Sequence, residues 1–170
     1  MVWMQKAYIR VLRSSYKYRT IKIRSCRQKF CLWDFCNLKG KNEYRLRNEQ
    51  FLVELRKDAT VKELGKGVLY RVLAEGSGST LPKVNSVVTV HYKGSLVDGR
   101  VFDNSFDRGY PEAFRVGELI EGFRMALLSM HEGDKWVVYI PQELGYGKRA
   151  SGPIPGFSTL VFEIELIKIM

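Results

Sequence analysis

Val87-Val88-Thr89-Val90-His91-Tyr92-Lys93-Gly94-Ser95-Leu96-Val97-Asp98-Gly99-Arg100-Val101-Phe102-Asp103-Asn104-Ser105 decides how the chain reads. Its first half is rich in β-branched residues, which suit a pleated and well-buried strand. Asp98-Gly99 tolerates positive φ and lets the chain reverse tightly. Val101-Phe102 resumes an apolar strand and runs into the polar group Asp103-Asn104-Ser105. The hairpin so predicted carries Tyr92, Phe102 and Asp103 close together. Two aromatics and one carboxylate make a small concave site, not a catalytic triad.

Working outward, Val68–Leu73, Ala113–Val116, Lys135–Ile140 and Thr159–Ile169 read as further strands. The last alternates, with Leu160, Phe162, Ile164, Leu166 and Ile169 apolar and Glu163, Glu165 and Lys168 polar, as a half-buried strand does. One body helix is expected over about Glu121 to Met130, with Phe123, Leu127 and Met130 on one face and Gly133 as a stop signal. Phe106–Pro111 and Leu144–Phe157 read as loops, the second for its glycines and for Pro153 and Pro155. Five to six strands with one short helix define an α+β fold: a curved antiparallel sheet wrapped around the helix, with a pocket between them.

The N-terminal part differs in kind. Residues 1–50 hold 13 Lys and Arg against the acids Asp34, Glu43 and Glu49, which accounts for the whole net charge of +10. The remainder balances at 15 of each sign and offers no electrostatic reason to bind nucleic acid or an acidic membrane. Residues 1–41 are therefore expected to form a basic, poorly ordered leader, or a stretch translated from upstream of the natural start. Interleaved Trp3, Tyr8, Tyr16 and Tyr18 leave RNA or single-stranded DNA binding open as a minor alternative. Residues 42–64 read as an amphipathic helical lead-in, with Tyr44, Phe51, Leu52 and Leu55 near helical spacing, and residues 65–170 as the domain proper. No run of 18 apolar residues is present, and the only late apolar group of the leader is broken by Asp34. A cytoplasmic location is favoured on that ground.

Cys26, Cys31 and Cys36 all precede the domain, and their four-residue gaps match no common zinc pattern. His91 sits within a strand and His131 at a helix end, so neither reads as a catalytic base. Asp103-Asn104-Ser105-Phe106-Asp107-Arg108 begins like a calcium loop but has Arg108 where glycine is required and Phe114 at the closing acid. No cofactor and no metal are expected.

VHYKG, DGRVFDNS, FRVGELIEGF and GYGKRASGPIPGFSTLVFEIEL, four blocks in one order, resemble the FKBP-type peptidyl-prolyl cis-trans isomerases. The resemblance runs from about Val68 to Ile169. It implies a pocket lined by Tyr92, Phe102, Leu119, Ile120, Phe123, Tyr146 and Phe162, with Phe123 as its floor. It further implies that the Ile120 N–H and the Tyr146 hydroxyl donate to the substrate backbone. Asp103 would orient Tyr92 or polarise the twisting amide, and Ile154 would sit on a flap over the proline. Partners implied are proline-containing peptides, folding proteins and macrolide inhibitors.

Two departures stand out. Phe123 occupies the floor where the family usually has tryptophan, and Glu112 and Ala150 replace a rim aromatic and histidine. The first makes a prolyl-segment binding module with weak or lost turnover the alternative function. The lead-in also reads as shorter than the dimerising arm of the family's virulence-associated bacterial members, so a monomer is expected.

Overall fold

The computed structural model describes the backbone from residue 29 onward, and the side chains of residue 40 and of residues 42–170. Most of the basic leader, to residue 28, lies outside the described residues, as do the side chains of Cys26, Cys31 and Cys36. The chain divides into residues 1–35 and 36–170, and the second unit carries the sheet and its cavities.

Helix α1 runs Lys29–Leu55, so it begins well before the expected Asn42. Asn37, Gly40 and Asn42 are weak helix formers and mask that continuity in the sequence. The helical lead-in is therefore longer than the sequence suggests. Tyr44, Phe51, Leu52 and Leu55 are all partly buried, as their spacing predicts. The most buried position on that stripe is a polar one, Asn48.

Among the described residues seven strands form one antiparallel sheet: β1 (Lys62–Gly65), β2 (Val68–Ala74), β3 (Val87–Leu96), β4 (Val101–Asn104), β5 (Glu112–Arg115), β6 (Lys135–Ile140) and β7 (Leu160–Ile169). The order is β1-β2-β6-β7-β3-β4, with β5 also on β3. The expected count of five to six omits β1. Its Lys62-Glu63 start is polar, as edge strands often are, and so carries no apolar signal. Gly65 and Gly67 make the turn into β2: φ is +124°, +49° and +86° across Gly65, Lys66 and Gly67.

Strand β3 alternates as its sequence demands, burying Val88, Val90, Tyr92, Gly94 and Leu96. Strand β7 buries Leu160, Phe162, Ile164 and Leu166 beside it, and β6 adds Trp136, Val138 and Ile140. Each fully buried aliphatic side chain contributes roughly 1.5–3 kcal/mol of transfer free energy. Helix α3 (Glu121–Leu127) covers this face with Phe123, Ala126 and Leu127. It ends three residues earlier than expected because its last turn tightens: Ser129 and Met130 donate to Ala126 and Leu127 at 3.0 and 3.2 Å. Gly122 lets it lie flat on the sheet, since a Cβ there would collide with Ile140.

Candidate functional site

The site is built where β4, paired along β3, runs into the turn that begins at Ser105. Ser105, fully buried, accepts from the Tyr92 N–H at 2.8 Å and donates to the Tyr92 carbonyl at 3.1 Å. It thereby locks the backbone of the residue whose ring forms one wall. Asn104 then caps a single turn, α2 (Ser105–Arg108), by accepting from the Phe106 N–H at 3.1 Å, and Gly109 closes it in the left-handed region. The sequence reads as loop here, because a four-residue helix shows no periodicity. Its consequence is that Arg108 folds back over the site.

Arg108 donates to Asp103 Oδ1 at 2.5 Å and to the Tyr92 hydroxyl at 3.1 Å, and forms an ion pair with Glu112 Oε1 at 2.5 Å. Tyr92 in turn donates to Asp103 Oδ2 at 2.5 Å. Burial alone would raise the Asp103 carboxyl, but hydrogen bonds from Tyr92 and Arg108 outweigh it and hold the group below its ordinary range. Burial, helped by the hydrogen bond to Asp103, pushes the Tyr92 phenol well above its ordinary value. The carboxylate is thus charged and the phenol neutral at any ordinary pH. Arg108 and Glu112 give no sign of this role in the sequence. An i,i+4 arginine–glutamate pair reads there as surface decoration.

Tyr92 opens into a cavity of about 260 Å³. Phe102 and Phe162 form one side, edge to face at 5.6 Å and 86°. Gly94 makes room for both rings between the strands. Phe123, only 4% exposed, is the floor and stands edge-on to Phe162 at 5.0 Å and to Tyr92 at 6.2 Å. Asp103, Leu119, Ile120 and Tyr146 complete the expected lining, joined by Phe114 and Glu118, which were not expected. Phe114 packs edge-on against Tyr92 at 5.7 Å, and the alternation within its own strand would have pointed it inward.

Ile120 precedes α3, and its N–H has no partner among the described residues, while its carbonyl accepts from Arg124 at 3.0 Å. Tyr146 is the outermost wall, 42% exposed. Ile154 does not line the cavity. A bridge to Ser151 turns it inward and it packs in the core at 4% exposure. Among the described residues no group of His, Cys, Asp and Glu is arranged to hold a metal ion, and no helix is long and apolar enough to cross a membrane.

A curved antiparallel sheet, one short covering helix and between them an aromatic hollow with a tethered carboxylate define a receptor for a compact apolar ring with polar backbone beside it. Residues 78–167 match the family described as FKBP-type peptidyl-prolyl cis-trans isomerase. The chain is 46% identical over 122 residues to the FKBP-type 22 kDa peptidyl-prolyl cis-trans isomerase of Escherichia coli strain K12, across 71% of this chain and 59% of that protein. A crystal structure of a peptidyl-prolyl cis-trans isomerase from Pseudomonas syringae superposes with a TM-score of 0.70 at 37% identity, covering 76% of this chain and 95% of that one. The crystal structure of FkpA from Escherichia coli gives 0.73 at 33% identity, over 87% of this chain and 74% of that one. This chain belongs to the FKBP-type peptidyl-prolyl cis-trans isomerase family. It spans 45–66% of the length of the curated relatives it matches first.

Proposed function

We propose that the chain is a peptidyl-prolyl cis-trans isomerase that assists protein folding by rotating X–Pro bonds in its aromatic cavity. The observation that carries this reading is the pairing of six aromatic walls with a carboxylate already engaged by Tyr92 and Arg108. Such a site is poor at moving protons and good at desolvating. Rotation about an amide needs no proton transfer. Its barrier of roughly 18–20 kcal/mol comes from resonance in the C–N bond. The twisted amide is less dipolar than the planar one, and water stabilises the planar form more. A dry pocket narrows that difference, at about tenfold in rate per 1.4 kcal/mol.

Phe102, Phe123 and Phe162 would hold the proline ring, which prefers aromatic walls to water. The Ile120 N–H would take a substrate carbonyl and the Tyr146 hydroxyl a second. Tyr92, held by Asp103, would present a fixed neutral dipole to the twisting amide, and Leu119 would close the rim. Ile154 would act from beneath, by supporting the loop that carries it. A macrolide inhibitor of this family would occupy the same cavity.

The alternative is a module that docks prolyl segments with little turnover. Phe123 favours it, because phenylalanine is smaller than the usual tryptophan and lacks an indole N–H. A protease-coupled assay on an Ala-Leu-Pro-Phe peptide separates the two. Acceleration over background supports the isomerase. No acceleration, and no gain on Phe123→Trp, supports the docking module.

A further inference from the structure

Tyr146 and Phe162 both line the cavity, and the chain between them leaves it and comes back as a loop over residues 148–157. The loop is tied internally: Phe157 N–H donates to the Gly147 carbonyl at 2.9 Å, and Ser151 and Ile154 exchange backbone bonds at 2.9 and 3.0 Å. At its end Phe157 has φ of +65°, a region an L side chain occupies only when its surroundings hold it there.

What surrounds it is helix α1. Arg45 lies over the Phe157 ring at 5.6 Å. Ser158 spends its proton on the Pro155 carbonyl at 2.7 Å, so Tyr44 is the donor in its 2.8 Å bond to the Ser158 hydroxyl. Asn48 accepts from the Thr159 N–H at 2.7 Å and donates to the Tyr44 carbonyl at 2.8 Å. Asn48 and Thr159 are 2% and 3% exposed. Three consecutive residues at the loop's exit are thus each held by one face of α1.

We infer that Asn48 is a positioning residue, through which helix α1 sets the loop beside the prolyl cavity and so the affinity for substrate. The inference rests on the isomerase reading for its functional half only. Its physical basis is the dryness of the contact. Without Asn48 the Thr159 N–H is buried with no acceptor, a penalty that displacing the loop relieves. The opposite wall, with Tyr92, Asp103 and Ile120, touches none of these groups. Loss of Asn48 should therefore weaken binding and leave the chemical step alone.

The test titrates the full chain with a proline tetrapeptide by NMR, which yields both Kd and the exchange rate of bound peptide. Asn48→Ala should raise Kd about five- to twentyfold, the range a lost buried hydrogen bond supports, with bound exchange within twofold. Amide hydrogen exchange should quicken at residues 148–159 but not at Val138 or Ile164. The control is Phe51→Leu, which loosens α1 on Tyr139, 5.9 Å away, without touching the ties at residues 157–159. It should lower Tm and leave Kd unchanged. An unchanged Kd and unchanged loop exchange in Asn48→Ala overturn the inference, as does an equal rise in Kd for Phe51→Leu. If the wild-type chain binds or turns over no peptide, the isomerase reading fails separately. Loop exchange in Asn48→Ala then decides alone, faster exchange supporting the brace and unchanged exchange overturning it.

Discussion

Replacing Gly94 with alanine is the sharpest probe of how the cavity is made. A Cβ built there stands 2.5 and 2.6 Å from Phe102 Cε2 and Cζ and 2.8 Å from Phe162 Cε1. Ordinary carbon–carbon contact needs about 3.5 Å, so the Phe102 ring must retreat by about 1 Å and Phe162 by somewhat less. Gly94 has no positive φ, so alanine fits its backbone and would otherwise favour the strand. The whole cost therefore comes from the two rings. Overpacking of this kind costs about 1–3 kcal/mol, or roughly 3–10 °C in Tm for a unit of this size. Phe102 is the less buried of the two and moves first, which misplaces the wall a proline ring would touch. Isomerisation of a tetrapeptide should fall at least tenfold in kcat/KM. Phe102→Leu in the same chain should restore much of the Tm and little of the activity. A Gly94→Ala protein within 1 °C of wild type and within twofold in kcat/KM would refute the reasoning.

Four other outcomes follow from the same geometry. Asp103 has its folded-state pKa depressed, so the unfolded chain binds the extra proton as pH falls and the native state loses that contribution in the acid range just below the ordinary value of 3.8. Asp103→Asn should accordingly flatten the acid limb of a Tm-against-pH curve, and an unaltered limb counts against the arrangement. With the Tyr92 phenol pushed up and held neutral, kcat/KM should be level from about pH 6 to 9, and a limb in that window would mean proton transfer after all. Gly122→Val should push α3 off Ile140 and lower Tm by more than Gly94→Ala does, as read by calorimetry. Gly40 lies inside α1, and a Cβ added to it would meet nothing within 4 Å among the described residues. Gly40→Ala should therefore stabilise that helix by about 0.5–1 kcal/mol, visible as added helical ellipticity on heating.

Legibility followed the range of the forces involved. Strands β3, β6 and β7 were plain because their alternation or β-branched runs repeat over six to ten residues. Helix α3 was plain from Phe123 and Leu127, though its end was not, since tightening of a last turn leaves no mark in composition. Strand β1 was hidden by its polarity, and α2 by its brevity. The aromatic walls were readable, Phe102 and Phe162 among them, because burial selects their type. Arg108 was not, because its importance depends on a one-turn helix swinging it over Asp103. Asn48 was hidden for the opposite reason: a polar residue on an apolar stripe argues against burial until its partner, Thr159, is seen 111 residues away.

The place of β7 bears on how the domain comes into being. It lies between β6 and β3, joined to each along most of its length, yet it is the last strand of the sheet to leave the ribosome. Without β7 the remaining pairings fall into two separate ribbons, β1-β2-β6 and β3 with β4 and β5, each with an unpaired edge. A protein proposed to speed the maturation of others would itself pass through an exposed, half-assembled stage that ends only when its central stave is inserted.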